Sequence, residues 1–343
     1  MRIGVLTHIK FPVRAPFAGG LEAFTHAVVQ GLAQRGHEVT LFAHEDSDPA
    51  LNLVPMQAPD RCRHPSLSSE YVAEHHAYFK VMATLDDHGF DVIFNNSLHY
   101  VPVTMASVLR TPMLTVLHTP PFFEMTTALA ARSNHGRFAT ISAANARSWQ
   151  PWAQPCAVVP NGIDLEAWRP EGTPGEHAFW FGRLVPDKGA HLAIDAARQA
   201  GVPLRLAGHV ADRTYFNEQV APRLGDGVEY LGHLGHEQIR AQLSQAAVAL
   251  ITPCWEEPFG LVVAEAMACG TPVAAFARGA MPELIDTRTG ALAPGGDVAA
   301  LAQALALARQ CSRAACRERA EALWGLPRML EHYERLLAEV ARG

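Results

Sequence analysis

The sequence predicts an α/β protein built from two doubly wound parallel-sheet domains. Three observations carry this. Residues 2–43 read as strand, amphipathic helix and strand, a βαβ unit that implies a parallel sheet with right-handed crossovers. Near Glu176 the alternation of short apolar runs with helical stretches begins afresh. The length, 343 residues, exceeds what one core usually fills, and an apolar share of 49% supplies two.

In order, Arg2 to His8 is a first strand, followed by a loop rich in Pro, Phe and Gly that ends at Gly19-Gly20. Leu21 to Gln34 carries Leu21, Phe24, Ala27, Val28, Gly31 and Leu32 at helical spacing, and Gly36 stops it. Glu38 to Ala43 is the second strand. Asp46 to Pro65 is Pro-rich and reads as irregular. A helix over 70–87, a strand over 91–95, a helix over 100–109 and a buried strand over 112–117 follow, the last delivering His118. Residues 137–141 form a strand, Ser142 caps the next helix, and 156–160 is the last short strand of this half. Asn161-Gly162 makes a turn.

In the second half, strands are expected over 178–182, 204–208, 228–232, 248–252 and 272–276. Helices over 190–200, 213–224, 236–245 and around Glu265 alternate with them. Further amphipathic helices cover 298–309 and 313–324, Pro327 breaks the run, and 329–340 closes the chain with Met329, Leu330, Tyr333, Leu336, Leu337 and Val340 on one face.

Bulk properties exclude several classes. A net charge of −6 argues against nucleic acid as a partner. No apolar run is long enough to span a membrane, and the N-terminus runs straight into a strand, which points to a cytoplasmic protein with at most peripheral membrane contact. Six scattered cysteines without a C-x-x-C pair read as reduced thiols. The seventeen histidines lack metal-ligand spacing, so most are expected at the surface. Asp46-Ser47-Asp48 could bind a divalent cation but reads better as a solvated turn. No G-x-G-x-x-G follows the first strand, so a dinucleotide oxidoreductase is not supported.

The chemistry concentrates between Glu256 and Val273. An apolar strand precedes this stretch, and Gly270 with Pro272 ends its helix. That helix, from about Gly260 to Cys269, is apolar on all sides except at Glu265, so its carboxylate needs a partner. Phe259, Gly260 and Leu261 present backbone N–H groups at the helix start, where anions bind, and Gly260 lets a ligand approach closely. With Glu257 just before, one loop offers hydroxyl acceptors beside phosphate donors, a combination suited to sugar plus phosphate. Taken singly, either Glu reads equally well as an ordinary helix or loop acid. Gly182 to Gly189 adds Arg183 at a strand end and Lys188 at a helix start, a diphosphate site or a surface cation pair. Each of these residues falls at the carboxyl end of a strand, where open α/β sheets bind ligands.

The stretch E-P-F-G-L-V-V-A-E-A-M-A-C-G-T-P-V resembles the E-x7-E signature of retaining glycosyltransferases of family GT4, with Glu257 as its first acid, and G-R-L-V-P-D-K-G resembles the family's G-R-L-x-x-x-K-G. The likeness covers nearly the whole chain, tightly in the second half and loosely in the first. It implies the GT-B fold: two Rossmann-like domains facing a central cleft, residues 1–160 on the acceptor side and 161–325 on the donor side, with 326–343 crossing back to the first domain. Pro-Ser, usual in the family before the signature, is replaced by Pro253-Cys254.

By that resemblance Arg183 and Lys188 hold the donor diphosphate and Glu257 binds donor-sugar hydroxyls. Glu265 accepts from the ribose, His118 bonds a sugar hydroxyl, and Gly19-Gly20 lies near phosphate and acceptor. The implied reaction is hexosyl transfer from a nucleoside-diphosphate sugar, UDP before GDP, to an acceptor hydroxyl. It proceeds with retention, by a front-face route, without metal or cofactor. A sugar-nucleotide epimerase of the same fold and a non-catalytic sugar-nucleotide binder are the alternatives. The near-neutral first domain lacks a basic amphipathic helix and favours a soluble acceptor over a lipid.

Overall fold

The computed structural model describes residues 1–56, 67–131 and 136–343, which divide into two compact units, 1–159 with 327–343 and 160–326. In the first unit the strands are β1 (Arg2–Leu6), β2 (Glu38–Ala43), β3 (Leu53–Pro55), β4 (Val92–Asn95), β5 (Met113–Leu117), β6 (Arg137–Thr140) and β7 (Cys156–Val158). Its helices are α1 (Gly20–Gln34), α2 (Leu67–Thr84), α3 (Tyr100–Met105), α4 (Phe123–Ala131) and α5 (Ala143–Trp149). The sheet order is β3-β2-β1-β4-β5-β6-β7, parallel throughout, with Val5 beside both Leu41 and Phe94. Leu6, Phe42, Ile93 and Leu85 fill one side of it. Each such fully buried side chain contributes about 1.5–3 kcal/mol relative to exposure.

The second unit holds β8 (Ala178–Phe181), β9 (Leu204–Ala207), β10 (Val228–Tyr230), β11 (Val248–Ile251), β12 (Val273–Phe276) and β13 (Gly290–Ala293), all parallel in the order β10-β9-β8-β11-β12-β13. Around it run α6 (Ala190–Ala200), α7 (Arg213–Tyr215), α8 (His236–Gln245), α9 (Leu261–Ala268), α10 (Met281–Leu284), α11 (Val298–Ala308) and α12 (Arg313–Leu323). Trp180, Ile194, Leu206, Phe276 and Leu305 are in its core. The closing helix α13 (Leu326–Arg342) packs in the first unit, where Met329, Leu330, Tyr333, Leu337 and Val340 are buried.

Several sequence expectations need correction. Part of the segment read as irregular is β3, an edge strand that ends in Pro55, a residue edges tolerate; residues 57–66, with Cys62, lie outside the described residues. Pro327 does not break a helix but sits in the first turn of α13, where its missing N–H costs nothing. The expected helix over 213–224 is α7 continued by a π-helical stretch Phe216–Val220 and a 3₁₀ turn Ala221–Arg223. The strand β13 and the helices α4 and α10 were not anticipated. His8, His75, His99 and His118 are buried rather than at the surface.

Candidate functional site

Each sheet reverses its winding once, between β1 and β4 in the first unit and between β8 and β11 in the second. The loops diverging there open a crevice at the carboxyl ends of the strands.

In the second unit the loop after β8 carries Arg183 and Lys188, and that after β11 carries Thr252 to Gly260. Main chain stitches the two together. Thr252 Oγ1 takes the Trp180 indole N–H at 3.0 Å and lies 2.8 Å from the Lys188 carbonyl, and Cys254 N–H donates to Asp187 O at 2.8 Å. Lys188 ends a 3₁₀ turn, Pro186–Lys188, rather than beginning a helix as expected. Gly189 then turns at φ +64°, and a Cβ there would stand 2.3 Å from Thr252 O, so only glycine lets the loops touch.

Lys188 and Glu257, given separate tasks in the sequence reading, meet directly: Nζ lies 2.5 Å from Oε2. Trp255 adds its indole N–H to the same oxygen at 3.0 Å, and its ring lies under the Lys188 ammonium at 5.3 Å. Glu257 is 9% exposed, and its backbone is fixed by Ala280 N–H at 2.9 Å. Trp255 was missed in the sequence because a loop tryptophan carries no spacing signal. Arg183 is exposed, and its side chain makes no ion pair with a described residue.

Gly260, at φ +91°, precedes α9, and a Cβ would strike Met281 Cε at 2.5 Å. Phe259 is buried, its ring edge-on to Trp324 at 6.5 Å, and Leu261 is the first helical residue. These three set the direction of the helix N-terminus. One turn in, Glu265 does not have the partner expected of it: among the described residues no side chain or N–H bonds its carboxylate. Although the residue keeps some surface, enough protein surrounds the carboxyl that loss of solvent pushes its pKa up to about 7.

In the first unit His118 follows β5 directly and is buried. Burial holds its pKa at about 3, so the ring is neutral. Nε2–H donates to Asn96 Oδ1 at 2.8 Å, which leaves Nδ1 as an acceptor. Phe24 of α1 packs edge-on against the ring at 4.7 Å. Gly19 caps α1 and Gly20 begins it. Beside them stands a pair the sequence reading overlooked: buried Glu22 and His8, Oε1 to Nε2 at 2.6 Å. Burial raises the Glu22 pKa, but hydrogen bonds from His8 and the N–H groups of Glu22 and Gly19 outweigh it and bring the carboxyl below its usual value. His8 ends its strand much as His118 does, a signal the sequence carried. In the Asp46-Ser47-Asp48 turn, Asp48 is engaged by His26 at 2.8 Å and Ser47 Oγ accepts from Val13 N–H at 3.0 Å.

The structure thus joins Lys188 to Glu257 and places Arg183, Phe259, Gly260, Leu261 and Glu265 in the same unit. His118, Gly19 and Gly20 belong to the other. No helix among the described residues is long and apolar enough to cross a membrane.

Known proteins resemble both units of this chain. The model described as Glycosyltransferase Family 4 matches residues 18–167, and that described as Glycosyl transferases group 1 matches 175–309. A glycogen synthase of Mycobacterium tuberculosis is 36% identical over 160 residues, 43% of this chain and 38% of the relative. The chain therefore matches well under half the length of that relative. Among solved structures, the sucrose-phosphate synthase of Thermosynechococcus elongatus superposes with a TM-score of 0.81 at 23% identity, over 99% of both chains. Anabaena HepE in complex with UDP-glucose gives 0.77 at 20%, over 99% of this chain and 100% of the other.

Proposed function

We propose that the chain, matched by the Glycosyltransferase Family 4 model in its first half and the Glycosyl transferases group 1 model in its second, is a glycosyltransferase that moves a hexosyl unit from a nucleoside-diphosphate sugar to an acceptor hydroxyl. The observation that carries this is Glu265. A half-buried carboxyl one turn inside a helix N-terminus, with no partner among the described residues and a pKa raised by loss of solvent, is stabilised in its charged form by hydroxyl donors such as a ribose diol.

Arg183 and Lys188 take the diphosphate, with the N–H groups at the start of α9 beside them. Glu257 binds donor-sugar hydroxyls through the lone pairs that Lys188 and Trp255 leave open. Neutral His118 accepts a sugar hydroxyl at Nδ1. In the reaction the bond from the anomeric carbon to the phosphate oxygen breaks, and its electron pair leaves with the diphosphate. The acceptor oxygen bonds to the same face of that carbon and passes its proton to a phosphate oxygen. Glu257 Oε2, held by an ammonium and an indole N–H, is a poor nucleophile, which favours this front-face route over a covalent intermediate. Two protein cations neutralise the leaving group, so no metal enters the scheme. We place a UDP-sugar first, in keeping with the UDP-glucose held by the HepE neighbour, and a GDP-sugar second.

Thermal-shift measurements against UDP-, GDP-, ADP- and dTDP-sugars, then transfer assays with and without EDTA, test this. A UDP-sugar should raise Tm most, and transfer should survive the chelator. Lys188→Ala should lower transfer by about 10²–10³ with the fold intact; near-normal turnover would contradict its assigned role. Conversion of the donor without an acceptor would make the chain an epimerase, and tight binding without turnover a binder.

A further inference from the structure

Asn95 ends β4 and Asn96 follows it, and the two buried asparagines have different tasks. Asn95 serves the sheet: Nδ2 donates to Thr115 Oγ1 at 3.2 Å, and Oδ1 accepts Ser97 N–H at 3.2 Å. Asn96 serves His118. Its backbone is anchored first, with its N–H on Leu6 O of β1 at 2.7 Å. Its amide then has a preferred sense. Nδ2 lies 3.5 Å from Phe94 O, which suits a weak N–H donor, whereas the reversed amide would set two oxygens against each other. Oδ1 therefore faces the ring, 2.8 Å from Nε2, and Nε2 carries the proton.

The rest of His118 is held as firmly. The Leu117 carbonyl, one peptide before it, accepts Asn145 Nδ2 of α5 and Thr140 Oγ1 of β6, each at 2.8 Å. Phe24 of α1 stands edge-on to the ring at 4.7 Å. With the main chain and the ring plane set by these neighbours, what remains to be decided is which ring nitrogen bears hydrogen. A carboxylate in place of Asn96 would favour a charged imidazolium, with N–H at both nitrogens. The amide accepts one N–H and brings no charge, so Nδ1 keeps a lone pair that can take a hydroxyl proton.

We propose that Asn96 is a positioning residue for the transfer reaction: through its bond to Nε2 it locks His118 in the neutral Nε2–H form, so that Nδ1 accepts a hydroxyl of the donor sugar. The use of that lone pair rests on the glycosyl-transfer reading; the place of the proton on the ring does not.

Long-range proton–nitrogen correlation NMR on the full chain, labelled at histidine and with His118 assigned by its absence from His118→Phe, tests the first half. At neutral pH Nε2 should be protonated and Nδ1 not. In Asn96→Leu, which removes the acceptor at similar volume, both ring nitrogens should move to intermediate shifts as the two tautomers fill; Asn96→Ala serves if the leucine variant does not fold. Asn96→Asp, which keeps an acceptor in place, should keep Nε2 protonated. Transfer kinetics test the second half. Asn96→Leu should lower kcat and kcat/KM together by about tenfold while UDP affinity stays unchanged. In a His118→Phe background the same change should cost less than about twofold, because Asn96 then has no ring to hold. An unprotonated Nε2 in the unmodified chain, ring signals unmoved by Asn96→Leu, or an equal loss of transfer in the His118→Phe background would each overturn the assignment. A chain that transfers no sugar from any donor, with the ring signals as expected, would instead strike the transfer reading and support the tautomer assignment.

Discussion

A carboxyl with a pKa near 7 responds to pH in the range where assays are run. Burial raises Glu265 above its ordinary value, so in the free protein its contribution to stability is complete below about pH 4.5 and is lost as pH rises through 7. Hydroxyls that donate to the carboxylate favour the opposite state, so nucleotide binding should release a proton. Calorimetry in buffers of different ionisation enthalpy should show this release below pH 7. Affinity for UDP should fall by up to roughly tenfold per pH unit further down, and Glu265→Gln should flatten the profile. A flat profile in the unmodified chain would mean that no ligand hydroxyl reaches Glu265. Trp255 offers a second residue-scale test. Trp255→Phe keeps a ring beneath Lys188 but removes the N–H from Glu257, and bonds to charged groups contribute about 1.5–3 kcal/mol, so kcat/KM should drop about 10–100-fold. At this scale the acids and cations were legible because motif spacing reports them. Their pairing was not, since the distance from Lys188 Nζ to Glu257 is set by how the loops after β8 and β11 are stitched at Thr252.

Helix docking is decided by small residues at close approach. Gly31 of α1 faces Leu330 of α13, and a Cβ at Gly31 would stand 2.3 Å from Leu330 Cδ1. Gly31→Val should therefore destabilise the first unit by about 1–3 kcal/mol, read from urea midpoints. Leu330→Ala made alone should open a hole, but in the double variant it should make room for the new side chain, so the combined loss falls below the sum. Strict additivity would deny the contact. Strongly patterned elements were legible: α6 and α8 fall on their expected residues because their apolar positions repeat with helical spacing. The strand β13 was not, because Gly290-Ala-Leu-Ala293 lacks the β-branched and aromatic residues that mark strands. For β3, three residues ending in proline leave too short a pattern to read.

On the scale of the whole molecule, the order in which strands are laid down creates the sites before any side chain does. Both sheets reverse beside their first strand, and the residues with unusual chemistry gather at those reversals. The second unit also closes on itself: Ile163 N–H donates to Trp324 O at 2.7 Å, and Leu326 N–H returns to Ile163 O at 2.9 Å, so its two ends are joined by main chain. Arg183, Lys188, Glu257 and Glu265 all lie between those ends, around a core drawn wholly from the same unit. Residues 160–326 expressed alone should therefore unfold cooperatively and bind UDP within about tenfold of the full chain's affinity, while catalysing no transfer. Residues 1–326, lacking α13, should fare worse, because Phe24 and Phe94 lose the ring of Tyr333 packed against them at 5.7 and 5.0 Å. A fragment 160–326 that folds yet ignores UDP would show that nucleotide affinity needs residues of the first unit, and the donor site drawn from these four side chains would have to be redrawn.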